Sequence, residues 1–261
     1  MNTGMKAIIK KDIREITSNR RLFSVLWIIP LMLTVVLPSI FICAVHFATD
    51  DPDVMALLEL LPKSARTGSV ELTIAGMIFN NILPAFFLMI PIMTASVMAA
   101  SAFVGEKEKY TLETLLYCPL SVKEIFRAKV LASFLLSMLV SLVSFAAMVA
   151  VLEFESFFLM GSPLLPGAGW SVVLFLLSPA VSLIAVTLIV RNSAKAQSVE
   201  ESQQSAVFLI IPVILVVVGQ FAGVMLLNVW ILLGLSVLCA LLAWVLLQRA
   251  VKRFMYETLL K

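Results

Sequence analysis

The chain has 261 residues, 61% of them apolar and 13% charged, with a formal net charge of +3. An ordinary soluble domain carries roughly a quarter charged residues, so a water-soluble globule is excluded and a multi-pass membrane protein is indicated. The small positive balance belongs to membrane-surface segments and gives no reason to invoke nucleic acid.

Residues 1–21 predict an amphipathic elbow helix. Met5, Ile9, Ile13 and Ile16 form one stripe and Lys6, Lys10 and Arg14 another, the pattern of a helix lying along a leaflet with its cations toward anionic headgroups. A membrane span needs about 20 apolar residues. Six stretches satisfy this, at 22–48, 74–104, 130–152, 170–190, 206–227 and 229–247. The expected fold is all-α, a single transmembrane domain over 1–261 with a tight hairpin between the last two spans near Asn228. The first span is too long for a signal-peptide core and no small-residue cleavage site follows it, so it is expected to be retained.

Orientation follows from the cations. With the N-terminus inside, the inner segments hold every Lys and Arg except Lys63 and Arg66, which places both termini and the tail 248–261 in the cytoplasm. In the first outer loop, Asp51-Pro52 starts a short surface helix carrying Val54, Leu57, Leu58 and Leu61. The second outer segment, 153–169, is rich in Pro and Gly, lacks periodicity and reads as a loop. Pro30, Pro38, Pro84, Pro91, Pro179 and Pro212 are expected to kink or open their helices.

The spans contain no interior Asp, Glu, Lys or Arg, and His46 lies at the outer end of the first. Ion-coupled carriers use intramembrane carboxylates or histidines as relays, and intramembrane hydrolases need a nucleophile–base pair or metal ligands; this pattern argues against both. Cys43, Cys118 and Cys239 have neither pairing nor metal spacing. Ser133, Ser137, Ser141 and Ser144 share one face of the third span, and with Asn80, Asn81 and Gln220 they are candidates to line a translocation path. Close helix packing, with each hydroxyl bonded back to its own helix, explains the serines as well and ranks first.

The charged island at 105–129, GEKEKYTLETLLYCPLSVKEIFRAK, interrupts the apolar runs. Glu106 to Lys109 gives four consecutive charges, and Leu112, Leu115 and Leu116 share one face of a short helix over 106–116. Pro119 ends it. Ser121 and Glu124 then form a capping box, with Leu120 and Ile125 placed as its staple, and the second helix runs through Lys123, Arg127 and Lys129 into the third span. Apolar side chains framed by charge mark an interface.

Glu106, Glu108, Thr111, Leu112, Glu113, Leu115, Leu116, Pro119, Ser121 and Lys129 together resemble the region after the second span in permeases of the ABC type-2 transporter family. Arg191-Asn192 with Ala196-Gln197 is similar to the equivalent loop of bacterial members, especially the sodium-exporter-like branch. The resemblance implies the membrane subunit of an ATP-driven exporter in a bacterial cell membrane, without covalent chemistry of its own. ATP and Mg would be held by a separate ATPase, present in two copies beside a second permease copy, identical or a sibling; no cofactor is implied for this chain, which has no phosphate-loop motif. Glu106, Glu108, Tyr110, Thr111, Leu112, Glu113, Leu115 and Leu116 would meet the ATPase, and the elbow residues Lys6, Ile9, Lys10, Ile13 and Arg14 would touch the same subunit. The cargo stays open between lipid, hydrophobic peptide, drug and weakly coordinated ion. The alternative is a non-transporting membrane anchor for an ATPase in sensing or immunity.

Overall fold

The structure, a computed structural model, describes residues 3–47, 69–111, 119–193, 196, 198–204, 206–221 and 228–259. The expected outer surface helix around Val54 to Leu61, the hairpin turn before Asn228, and Leu112 to Cys118 lie outside them. All regular elements among the described residues are helical. After an N-terminal helix, Thr3–Ser18, six stretches among the described residues are long and apolar enough to cross a membrane: Leu22–Phe47, Val70–Glu108, Val122–Met160, Ala168–Ser193, Val199–Phe221 and Val229–Val251.

The second and fourth spans form the centre. Within their apolar stretches 78% and 72% of residues are buried, against 28%, 18% and 17% in the first, fifth and sixth. Lipid tails are as apolar as leucine, so helices associate in membranes through close packing, which small residues permit. Ala95, Ala99 and Ala102 of the second span, Ala128, Ala132 and Ser133 of the third, and Ala180 and Ala185 of the fourth supply that contact, all of them buried. The outer spans instead display large side chains such as Phe208, Leu215, Leu241 and Trp244.

Three of the six prolines open their helices in one way. A wide π turn precedes each: Met32–Val36 before Leu37-Pro38, Ile78–Ile82 before Leu83-Pro84, and Val173–Leu177 before Ser178-Pro179. In each the residue ahead of proline donates its N–H five residues back, Leu37 to Met32, Leu83 to Ile78 and Ser178 to Val173. Proline lacks a donor and its ring crowds the carbonyl four residues earlier; a π turn widens the helix there. Pro30 and Pro212 stay within α-helix, and Pro91 lies in the first turn of the helix that restarts at Met89.

The third span corrects the expected loop at 153–169. Its helix runs 39 residues to Met160, about 58 Å at 1.5 Å per residue, and so continues well past a hydrocarbon core of about 30 Å. It stops at Gly161, whose φ of 69° is the left-handed cap that glycine adopts without a Cβ penalty. The Ser156 hydroxyl donates to the Ser162 carbonyl across that end, at 2.6 Å.

Candidate functional site

The second-span helix extends to Glu108, with Lys109 as its C-cap. Glu106 to Glu108 are therefore its last turn rather than the start of a separate short helix. The end closes with two bonds, Tyr110 N–H to the Lys107 carbonyl at 3.2 Å and Thr111 N–H to the Glu106 carbonyl at 2.9 Å. This is the Schellman arrangement, in which a glycine usually occupies the left-handed position. Here Tyr110 does, with φ 56°, and its side chain is 91% exposed.

The four charges before Tyr110 are divided between two neighbours. Glu106 and Lys109, three residues apart, share a face and both reach the N-terminal helix, Glu106 pairing with Lys11 and Lys109 with Glu15. Lys107 and Glu108 reach the segment after the fourth span. Lys107 Nζ donates to the Ala196 carbonyl at 3.4 Å, and Glu108 Oε2 accepts from Val199 N–H at 3.4 Å. Glu106, expected on the docking surface, is instead 2% exposed. Its second partner is Lys129 of the third-span helix, 3.0 Å away and equally buried. Lys129 also donates to the Ala102 carbonyl and lies over the Phe103 ring, 5.6 Å from its centroid. One buried ion cluster thus joins three elements.

Asp12 completes the cluster. It is 3% exposed, 4.0 Å from Lys11, and neither carboxylate oxygen has a hydrogen-bond partner among the described residues. Burial pushes its pKa up to about 6, with Lys129 and Lys11 pulling it down and Glu106 and Glu15 adding to the rise. An acid raised in the folded state holds its proton between the ordinary value of 3.8 and about 6 while the unfolded chain has lost it. Stability from this group is present at low pH and is lost as pH rises through about 6. Asp12→Asn is therefore expected to raise the apparent Tm at pH 7.5 by roughly 4 °C. The variant should also flatten the wild-type decline between about pH 4 and 6, followed by thermal unfolding in detergent; a wild-type Tm that rises over that interval would contradict the assignment.

The N-terminal helix is amphipathic as expected, but its apolar face serves the protein. Ile8, Ile9 and Ile16 are buried, Met5 and Ile13 pack on the core, and Lys6, Lys10 and Arg14 are exposed. Gly4 allows the close approach of Leu120, whose side chain would lie 3.0 Å from an added Cβ. Beyond Leu120 the expected capping box is present: Glu124 N–H donates to Ser121 Oγ at 3.3 Å, and Ser121 N–H to Glu124 Oε2 at 3.0 Å.

The polar residues of the spans turn inward. Ser133, Ser137, Ser141 and Gln220, candidates to line a path, are fully buried between the spans in this conformation. Ser133 bonds back to the Lys129 carbonyl. Ser137 bonds the Pro91 carbonyl at 3.1 Å and meets Thr94 and Ser182 at 3.1 and 3.2 Å, a hydroxyl knot between the second, third and fourth spans. Asn80 and Asn81, both half-buried, sit in a π turn and donate to the Gly76 and Met77 carbonyls. Gly167 N–H donates to Asn80, and Gln220 to the Asn81 carbonyl. At the opposite end of the bundle His46 and Glu71 approach to 3.3 Å, linking the first two spans. Among the described residues no group of three His, Cys, Asp or Glu is arranged for a metal ion.

Six apolar helices among the described residues, around a small-residue core and with a charged junction gathering three elements at one end, define a multi-pass membrane protein. The model of the ABC-2 family transporter proteins matches residues 54–200, more than half of the chain and the whole of the second-span end of the junction. The chain belongs to that family and is a membrane permease subunit. Comparison with curated proteins and with solved structures gave no match.

Proposed function

We propose that this permease is driven by a separate ABC ATPase that docks at 105–129, and that two permease copies and two ATPases form an exporter. The end of the bundle carrying both termini is then cytoplasmic, in a bacterial cell membrane. The observation that carries this reading is the geometry around Tyr110. The charges of Glu106 to Lys109 are committed to neighbouring elements, so the second-span helix ends in a braced tip that presents Tyr110 outward. A left-handed tyrosine costs of order 1 kcal/mol or more relative to glycine, and such strain is kept where the surroundings hold it for use. Leu112, Glu113, Leu115 and Leu116 follow directly in sequence, and a push delivered there would pass through the buried cluster to the third span and the N-terminal helix as a rigid-body movement.

Tyr110→Gly separates fit from function. Relief of the left-handed backbone should leave the apparent Tm unchanged or raise it by a few degrees. Loss of the exposed ring should weaken retention of the ATPase by about tenfold, as expected for an aromatic anchor. The readout is co-purification of a co-expressed ABC ATPase, together with ATP-dependent cargo movement in reconstituted vesicles. A Tyr110→Gly, Leu112→Asp, Leu115→Asp variant that keeps both activities would overturn the docking assignment.

A further inference from the structure

Outside the charged junction, a cleft of about 760 Å³ opens at the same end of the bundle between the third and sixth spans. That volume is within the range of ligand sites. Its walls are Phe126, Val130, Leu131 and Phe134 on one side and Trp244, Leu247 and Val251 on the other, with Leu183 of the fourth span between them and Met5 of the N-terminal helix at the basic end. The polar lining consists of Lys123, Arg127 and Gln248, all at that end and all exposed.

Two features identify the occupant. Lys123 and Arg127 are four residues apart on one helix, a like-charge pair that is mutually unfavourable, and neither forms an ion pair among the described residues. The lining then becomes purely apolar down to Phe134, eleven residues beyond Lys123, or about 16 Å of helix. That is about half of a hydrocarbon core of about 30 Å, the depth of one leaflet. A paired cation site at the surface above an apolar cleft one leaflet deep is complementary to one molecule, and basic pockets between spans at the cytoplasmic face are known to take such headgroups. We propose that this cleft binds an anionic phospholipid of the adjoining leaflet, its phosphate between Lys123 and Arg127 and an acyl chain along Val130, Leu131, Phe134 and Trp244. The bound lipid bridges the sixth span, the N-terminal helix and the helix that leads out of the charged junction. The site does not depend on ATPase docking.

The test uses the full chain purified in mild detergent and titrated with phosphatidylglycerol or phosphatidylcholine. Native mass spectrometry counts retained lipid, and thermal unfolding reports stabilisation. Wild type should retain one phosphatidylglycerol per chain at least tenfold more tightly than phosphatidylcholine. Lys123→Gln with Arg127→Gln should abolish that preference at an unchanged elution volume. Lys6→Gln with Lys10→Gln, which removes two exposed cations elsewhere at the same surface, should keep it. Equal retention of the two lipids by wild type, or an undiminished preference in the Lys123/Arg127 variant, would overturn the proposal. So would a change from dimer to monomer on Trp244→Ala with lipid retention intact, because the cleft would then be covered by a second copy of the chain.

Discussion

Lys129→Ala is expected to destabilise the protein by about 3–5 kcal/mol, the cost of leaving a buried charge without its partner. Lys129 is 2% exposed, pairs with Glu106 at 3.0 Å and holds the Ala102 carbonyl. Without it, Glu106 and Asp12 would share a buried site with Lys11 alone, whose side chain is 47% exposed. Removing both charges by Glu106→Gln with Lys129→Met is expected to recover much of that loss, because buried ion pairs replaced by neutral groups of similar size are often neutral or better. A double-mutant cycle measured by unfolding in detergent should therefore give a coupling energy of about 2 kcal/mol or more. The lesion should also be localised. The cluster tethers the N-terminal helix to the second and third spans, so Lys129→Ala should expose Thr3–Ser18 to limited proteolysis well before the spans are cut. A loss under about 0.5 kcal/mol, the level of ordinary surface substitutions, would mean that the cluster is hydrated and not structural.

The features legible in the sequence are those that local physics determines. Six apolar runs gave six spans, and the spacing of Ser121 and Glu124 gave a capping box that forms as expected. Ser133, Ser137 and Ser141 are buried, as close packing requires, but only Ser133 bonds back to its own helix: Ser137 bonds across to Pro91, and Ser141 Oγ has no partner among the described residues. The charged run differs from its sequence expectation because its partners are tertiary. Helical geometry alone puts Glu106 and Lys109 on one face and separates them from Lys107 and Glu108. It cannot say that the N-terminal helix passes on one side and the segment at Ala196 to Val199 on the other. The sequence did carry a signal for the missing partner, since Asp12 is an acid set among the isoleucines of an otherwise apolar stripe. The third-span helix outran its apolar stretch for a simpler reason: Glu153 and Glu155 end a hydropathy run without ending a helix, which stops where Gly161 supplies a left-handed residue.

Trp170→Phe is expected to cost about 1–3 kcal/mol through one carbonyl, beyond any loss of packing. In the π turn Leu83 donates to Ile78 and not to Phe79. The next N–H that could reach Phe79 belongs to residue 84, which is proline and has none. The Phe79 carbonyl would therefore be orphaned in the bundle interior, where no water substitutes. Trp170 Nε1 donates to it at 3.1 Å from a ring that is 2% exposed and packed among Phe79, Phe87 and Phe145. The proline and the tryptophan are thus two halves of one solution, and their substitutions should not add. In a Pro84→Ala background the restored N–H can bond Phe79 directly, so Trp170→Phe should lose only its packing contribution there. The expected reading is a coupling of about 1 kcal/mol or more between the two sites in a double-mutant cycle, with both single variants still folded by elution volume. Strict additivity would show that the Phe79 carbonyl finds another donor. The tryptophan would then act by volume alone, and Trp170→Phe and Trp170→Leu would differ only as their sizes do.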